Sequence, residues 1–264
     1  MPLFTDQTPS TVDDLIRYEA NLRGTVAPEG IELASKLELA QDEVGARLGA
    51  LLLRPGVFVQ PVDVNTPSTG TVGSIVGLGQ VVVTTPLRLW HTFQSLTLVY
   101  RDLVGRKVNT SLEAKWTEYR RLSQWAQDLL CQSGIGLVGK PIPKAATPTL
   151  DWVSATATQM ALYVSVTLVD GDGNEGLGST PQALRVPDDN TLRVALSGTT
   201  PSGVVGFNIF AGTSPDSLTM QNVSVSPVGE AWIMPESGLV AGTAIGNGQD
   251  PDVHKIVPQQ LDRG

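Results

Sequence analysis

Cysteine is nearly missing from this chain, with Cys131 the single example in 264 residues. One thiol forms no internal disulfide, so a stapled secreted scaffold is excluded, and the composition fits a protein made in a reducing cytoplasm. Cys131 lies near the end of an expected helix, where packing is its ordinary role. Histidine is scarce as well. His91 and His254 are the only two, and neither has the neighbouring ligands that a zinc site or a Ser-His-Asp triad requires. Long hydrophobic runs are absent: residues 48–53 and 81–83 are far shorter than the roughly 20 apolar residues of a membrane span. Met1-Pro2-Leu3-Phe4-Thr5-Asp6 has no basic stretch and no apolar stretch, so no export signal is expected there. Basic side chains almost vanish late in the chain. Lys and Arg number 14 against 14 acids in residues 1–148, but 4 against 12 in residues 149–264. The formal charge of −8 therefore sits in the second part and argues against wrapping nucleic acid, which needs a basic surface. It leaves open the lining of a channel through which DNA slides.

What is present changes character between Gly139 and Asp151. With 41% hydrophobic and 17% charged residues both parts read as globular. Before the seam the apolar residues recur at helical spacing. Ser10-Thr11-Val12-Asp13-Asp14 reads as a capped helix start, continued by Leu15, Ile16, Tyr18, Ala20 and Leu22 and stopped at Gly24. A second helix is expected from Pro28-Glu29, with Leu33, Leu37, Ala40, Val44, Leu48 and Leu51 as its buried stripe and Pro55-Gly56 as its end. Residues 56–85 interrupt the helices with alternating valines around Pro67-Ser68-Thr69-Gly70. This insertion reads either as a protruding β-hairpin or loop, or as a flap on its own bundle.

Pro86 opens a third helix carrying Leu89, Phe93, Leu96, Tyr100 and Leu103, with Trp90 beside them and Gly105 as its end. Asn109-Thr110 caps a fourth, with the stripe Leu112, Trp116, Tyr119, Leu122, Ala126 and Leu129 and Gly134 as its stop. The short link makes these two helices antiparallel neighbours. Trp90, Tyr100, Trp116 and Tyr119 are all expected in the core. The joint spacing of Leu89-Trp90-His91-Thr92-Phe93, Leu98-Val99-Tyr100-Arg101-Asp102-Leu103 and Leu112, Lys115-Trp116, Tyr119 and Leu122 resembles the small helical head-to-tail adaptor proteins of tailed bacteriophages. The likeness covers roughly residues 85–135.

After Pro141, Pro143 and Pro148 the period changes to that of strands. Residues 161–169 run into the turn Asp170-Gly171-Asp172-Gly173-Asn174-Glu175, and further strands are expected at 183–186, 191–196, 204–211, 218–222 and 231–234. This pattern favours an immunoglobulin-like or fibronectin-III-like sandwich. Gly206-Phe207-Asn208-Ile209-Phe210-Ala211-Gly212-Thr213-Ser214 resembles a strand of Ig-like modules in phage structural proteins. Among the aromatics of this part (Trp152, Tyr163, Phe207, Phe210 and Trp232), Phe207 and Trp232 read as core. The fold class is thus α+β and multidomain. Residues 1–139 form an antiparallel helical bundle with the insertion at 56–85, 140–150 a linker, 151–245 an Ig-like β-sandwich, and 246–264 an extended tail, disordered when free or ordered on a neighbour in an assembly with Val253, Ile256, Val257 and Leu261 as apolar anchors.

Several chemical-looking motifs fail on their context. Asp170, Asp172 and Asn174 match the first ligands of an EF-hand loop, but Glu175 replaces the required glycine and Pro181 the final glutamate. Gly134-Ile135-Gly136-Leu137-Val138-Gly139 spells GxGxxG but follows a helix rather than a strand, and reads as a helix end with a flexible lead to the linker. His91 reads as a helix-surface or interface residue. Asp13-Asp14 and Asp188-Asp189 lie at a helix start and a turn. No catalytic residue, cofactor site or metal site is assigned.

The adaptor resemblance implies a structural virion protein, not an enzyme, that joins portal to tail at the head-tail interface. Its partners would be other copies of itself in a ring of twelve, the portal protein, and a downstream tail, nozzle or fibre protein. DNA would pass without sequence recognition, and no membrane is involved. The alternatives are a decoration or minor tail protein, or a carbohydrate-binding or accessory enzyme module.

Overall fold

The capping and stop signals of the first half shape five α-helices in a computed structural model that describes residues 1–53, 76–107, 109–156 and 159–257. With its antiparallel sheets the chain is α+β. It divides into two compact units, Met1–Asp6 with Lys140–Asp250, and Gln7–Gly139 with the C-terminal segment from Pro251.

In the helical unit α1 (Val12–Tyr18) starts on a reciprocal cap: the Asp14 N–H donates to the Thr11 hydroxyl, and the Asp14 carboxylate accepts from the Thr11 N–H. The expected run to Gly24 breaks after Tyr18 and resumes as α2 (Leu22–Val26). Pro28 sits in a 3-10 turn, Ala27–Glu29, which Gly30 ends at φ 62°. A left-handed residue cannot continue a helix, so α3 begins only at Leu33 and runs to Leu52. Then come α4 (Thr85–Arg106), with Pro86 in its first turn, and α5 (Thr110–Ser133), where the Asn109 side chain accepts from the Ser111 N–H. Gly105 lies inside the last turn of α4 rather than ending it.

Helix α4 is the centre of this unit. Every residue from Trp90 to Tyr100 is buried, and α5, α3 and α1 all pack on it. Polar side chains within so buried a stretch need internal partners. The Thr92, Ser95 and Thr97 hydroxyls do so by donating to the carbonyls of Arg88, His91 and Phe93.

The glycine-rich string after α5 is no flexible lead. It forms β1 (Ile135–Leu137), paired antiparallel with β10 (Val253–Lys255). Beside it, the Val82 N–H donates to the Gly136 carbonyl and the Val138 N–H to the Gln80 carbonyl. Glycine is needed here for close approach: a Cβ on Gly136 would lie 2.9 Å from Thr84 Cγ2 and 3.1 Å from Pro251 Cβ. Of the insertion 56–85, residues 56–75 lie outside the described residues; Leu78–Gln80 form a 3-10 turn and Val81, Val82 and Val83 are buried.

The other unit holds β2 (Thr149–Ser154), β3 (Met160–Asp170), β4 (Gln182–Val186), β5 (Asn190–Ala195), β6 (Val204–Gly212), β7 (Thr219–Met220), β8 (Ser226–Pro227) and β9 (Trp232–Ile233). One sheet has the order β2-β5-β9, the other β4-β3-β6-β7 with β8 also on β6. Both feed one core: Leu162, Val164, Val166 and Leu168 of β3, Phe207, Ile209 and Ala211 of β6, and Leu192 and Val194 of β5. Trp232 packs against it only partly buried. The stretch 140–150 is not a free tether, since Ile142 and Ala145 join this core and the Lys144 N–H donates to Asp6 at 2.9 Å. Among the described residues no helix is long and apolar enough to cross a membrane.

Candidate functional site

Three helices of the helical unit each turn one face toward an open groove of about 470 Å³. Glu43, Ala46 and Arg47 come from α3, Gln94, Thr97 and Arg101 from α4, and Trp116 and Arg120 from α5. These are spacings of three, four and seven residues, which line up along a helix surface. A polar chain braces the groove. The Gln94 amide donates to Glu43 at 2.6 Å, and its carbonyl oxygen accepts from the Ser123 hydroxyl at 2.7 Å, so α3, α4 and α5 are joined through the buried Gln94. The groove is cationic overall, with three guanidiniums against one carboxylate.

A second polar cluster ties the end of α1 to α5. Glu19 accepts from the Lys115 ammonium at 2.6 Å and from the Tyr119 hydroxyl at 3.0 Å. Tyr100 and Tyr119 stack at 5.3 Å between centroids, with the Lys115 ammonium 5.6 Å from the Tyr100 ring. Burial pushes Glu19 up, but the hydrogen bonds from Lys115, Tyr100 and Tyr119 outweigh it and hold the carboxyl below its ordinary value. Burial and the Glu19 carboxylate raise both tyrosines above the ordinary phenol value. Neutral phenols around a fixed carboxylate make a brace, not a nucleophile at neutral pH.

His91 is fully buried, which corrects the expectation of a surface or interface position. Its Nε2 faces the Leu37 carbonyl at 3.0 Å and its Nδ1 the Ser10 hydroxyl at 2.5 Å. A carbonyl only accepts, so Nε2 carries the hydrogen and Nδ1 accepts from Ser10. Burial pushes the imidazole down to about 4, against the weaker upward pull of the Leu37 carbonyl and Asp14. This serine–histidine contact joins the segment before α1 to α3 and α4 and is closed to a substrate.

The remaining motifs separate in the same way. Asp170 spends its carboxylate on its own turn, accepting from the N–H groups of Asp172 and Asn174 and from the Asn174 side chain. Burial raises this carboxyl, yet those bonds bring it below its ordinary value. Gly134 ends α5 at φ 93°. Cys131 is buried and its carbonyl accepts from the Val257 N–H. Val257 is thus buried within its own chain while Val253 and Ile256 are exposed; Leu261 lies outside the described residues. His254 is exposed on β10, apart from His91, and Asp188 and Asp189 are exposed where the chain passes from one sheet to the other. No group of three His, Cys, Asp or Glu among the described residues is arranged to hold a metal.

Of the four aromatics expected in the core, Trp90, Tyr100 and Tyr119 are buried. Trp116 is not: it is half-buried and lines the groove. The groove arginines carry no signal in the sequence, because Arg47, Arg101 and Arg120 come from three helices and no local spacing links them. The chain matches no protein-family model, no curated protein and no solved structure.

Proposed function

We propose that this chain is a structural adaptor that joins the portal of a tailed phage to its tail, working as a ring subunit rather than as an enzyme. The observation that carries the reading is the α4–α5 hairpin. Two helices of 22 and 24 residues bury Trp90, Tyr100 and Tyr119 and stack Tyr100 on Tyr119, at the spacing that resembles the adaptor pattern. On the same reading the helical unit is an antiparallel bundle and the β unit an Ig-like sandwich, which the shared core of two antiparallel sheets supports. Trp125, 48% exposed on α5, is the kind of side chain that anchors a protein contact. Cyclic symmetry would then multiply modest contacts into a stable ring around a DNA channel, in the virion and without a membrane.

Electron microscopy of the purified chain mixed with the portal protein from the same genome tests this. The expected outcome is a ring of this chain seated on the portal ring. A chain that stays monomeric and never joins the portal at any concentration sinks the proposal.

A further inference from the structure

The ion pairs of the helical unit are unevenly distributed. Arg17 pairs with Asp14, Arg23 with Asp13, Lys36 with Asp102, Lys107 with Glu29, Lys115 with Glu19 and Arg121 with Glu118. Among the described residues Arg47 and Arg120 have no such partner. Arg101 reaches only Asp102, at 4.0 Å, and that carboxylate is already held by Lys36 at 2.5 Å. Six cations of the helical unit are thus ion-paired, whereas the three guanidiniums around this groove share only the long Arg101–Asp102 contact, beside a half-buried Trp116. Like charges gathered there repel one another, and an anion in the groove relieves that repulsion. Guanidinium forks pair bidentately with carboxylates, and arginine with tryptophan is the pairing enriched where proteins meet.

We propose that this groove is a docking site for an acidic peptide segment of a partner protein, whose closely spaced carboxylates pair with Arg47, Arg101 and Arg120 while its backbone lies along Trp116. Two features favour a peptide over a nucleic acid. Glu43 stands in the groove with its carboxylate held by Gln94, so a ligand that is anionic along its whole length meets a fixed negative charge. A peptide can place an N–H donor there. The chain as a whole carries −8, which opposes a long polyanion, whereas a short acidic segment needs only the local field. The site is independent of the adaptor reading, since it rests on the groove alone.

The test is fluorescence anisotropy of a labelled six-residue peptide of alternating glutamate and glycine titrated with the full chain at low salt, beside a labelled twelve-nucleotide thymidine strand. Saturable binding of the peptide is expected, weakened by about five- to tenfold for each of Arg47→Ala, Arg101→Ala and Arg120→Ala and by Trp116→Ala, while Arg17→Ala leaves it unchanged. All of these arginines are exposed, so the variants are expected to fold, and circular dichroism checks this. Equal weakening by Arg17→Ala reduces the effect to net charge and overturns the proposal. So does tighter binding of the oligonucleotide that depends on the same arginines. Loss of self-association in the three variants, measured by sedimentation without peptide, would assign the groove to a second copy of this chain and equally overturn it.

Discussion

A histidine with no exposed surface, fixed by the Leu37 carbonyl and the Ser10 hydroxyl, makes folding depend on pH in a calculable direction. Burial lowers the imidazole to about 4, so the native state keeps it neutral while the unfolded chain protonates it below its ordinary value of 6.5. Its contribution is complete above pH 6.5 and is lost as pH falls from 6.5 toward 4, by linkage amounting to about 3 kcal/mol. Urea unfolding at pH 7 and at pH 4.5 is expected to show this loss in the wild type. His91→Gln, unable to titrate, is expected to lose about 2–3 kcal/mol less over the same interval, whatever the carboxylates contribute to both. Equal pH dependence of the two proteins would show that the imidazole is not held neutral. The same residue marks a limit of reading one side chain at a time. Beside Trp90 on an amphipathic pattern, His91 looks like a surface position. Its burial follows from α1 and α3 packing on α4, which no local spacing reveals.

At the scale of elements, legibility followed periodicity. Strands β3 to β6 were readable because alternation over five or more residues encodes one inward face, as Leu162, Val164, Val166 and Leu168 do. The Asn109 cap and the Gly134 stop were readable because each answers a local backbone need. The short pieces were not. Strands β1 and β10 have three residues each, too few for a period, and their pairing is a non-local event between residues some 120 apart in sequence. The half-exposure of Trp116 escapes the pattern for a related reason: a helical stripe marks which residues share a face but not where the neighbouring helix ends. The β1–β10 ribbon predicts its own weak point. Gly134 has φ 93°, and a Cβ there would meet the backbone of His254 and Lys255 at 3.1 Å. Gly134→Ala combines left-handed strain with overpacking against atoms that cannot rotate away, and is expected to cost about 2–4 kcal/mol. Hydrogen exchange locates the damage: the Val257 N–H, bonded to the Cys131 carbonyl, is expected to exchange faster, while the N–H groups of β3 and β6 keep their protection. Unchanged exchange at Val257 would mean that the ribbon absorbs the methyl group.

At the scale of the whole molecule the chain does not divide into a first half and a second half. Its N-terminal residues Met1–Asp6 belong with the β unit, and the segment from Pro251 belongs with the helical unit. The chain therefore passes between the units three times, at 6/7, 139/140 and 250/251. Composition located the middle passage, because charge and hydrophobic period both change there. It was silent about the outer two, where single strands and straps are too short to bias any average. Physical consequences follow for a chain cut once. A protease recognition sequence inserted between the exposed residues Gly139 and Lys140 yields two fragments, each still carrying a segment that completes the other's unit. The first fragment keeps Leu3 and Phe4, buried at 2% and 3% exposure, and Asp6, which accepts from Lys144. The second keeps β10 against β1, and Val257 at 2% exposure. Two independent fastenings on separate fragments act multivalently, so releasing one leaves the other to hold its partner close for rebinding. The cut protein is expected to elute from size exclusion as one species of unchanged size and to separate into two only in denaturant. Trimming the second fragment to end at Asp250 is expected to weaken the association by well over tenfold, because one of the fastenings is gone. Fragments that part on cleavage in native buffer would show that the exchanged termini contribute little, and that each unit is held together by its central stretch alone.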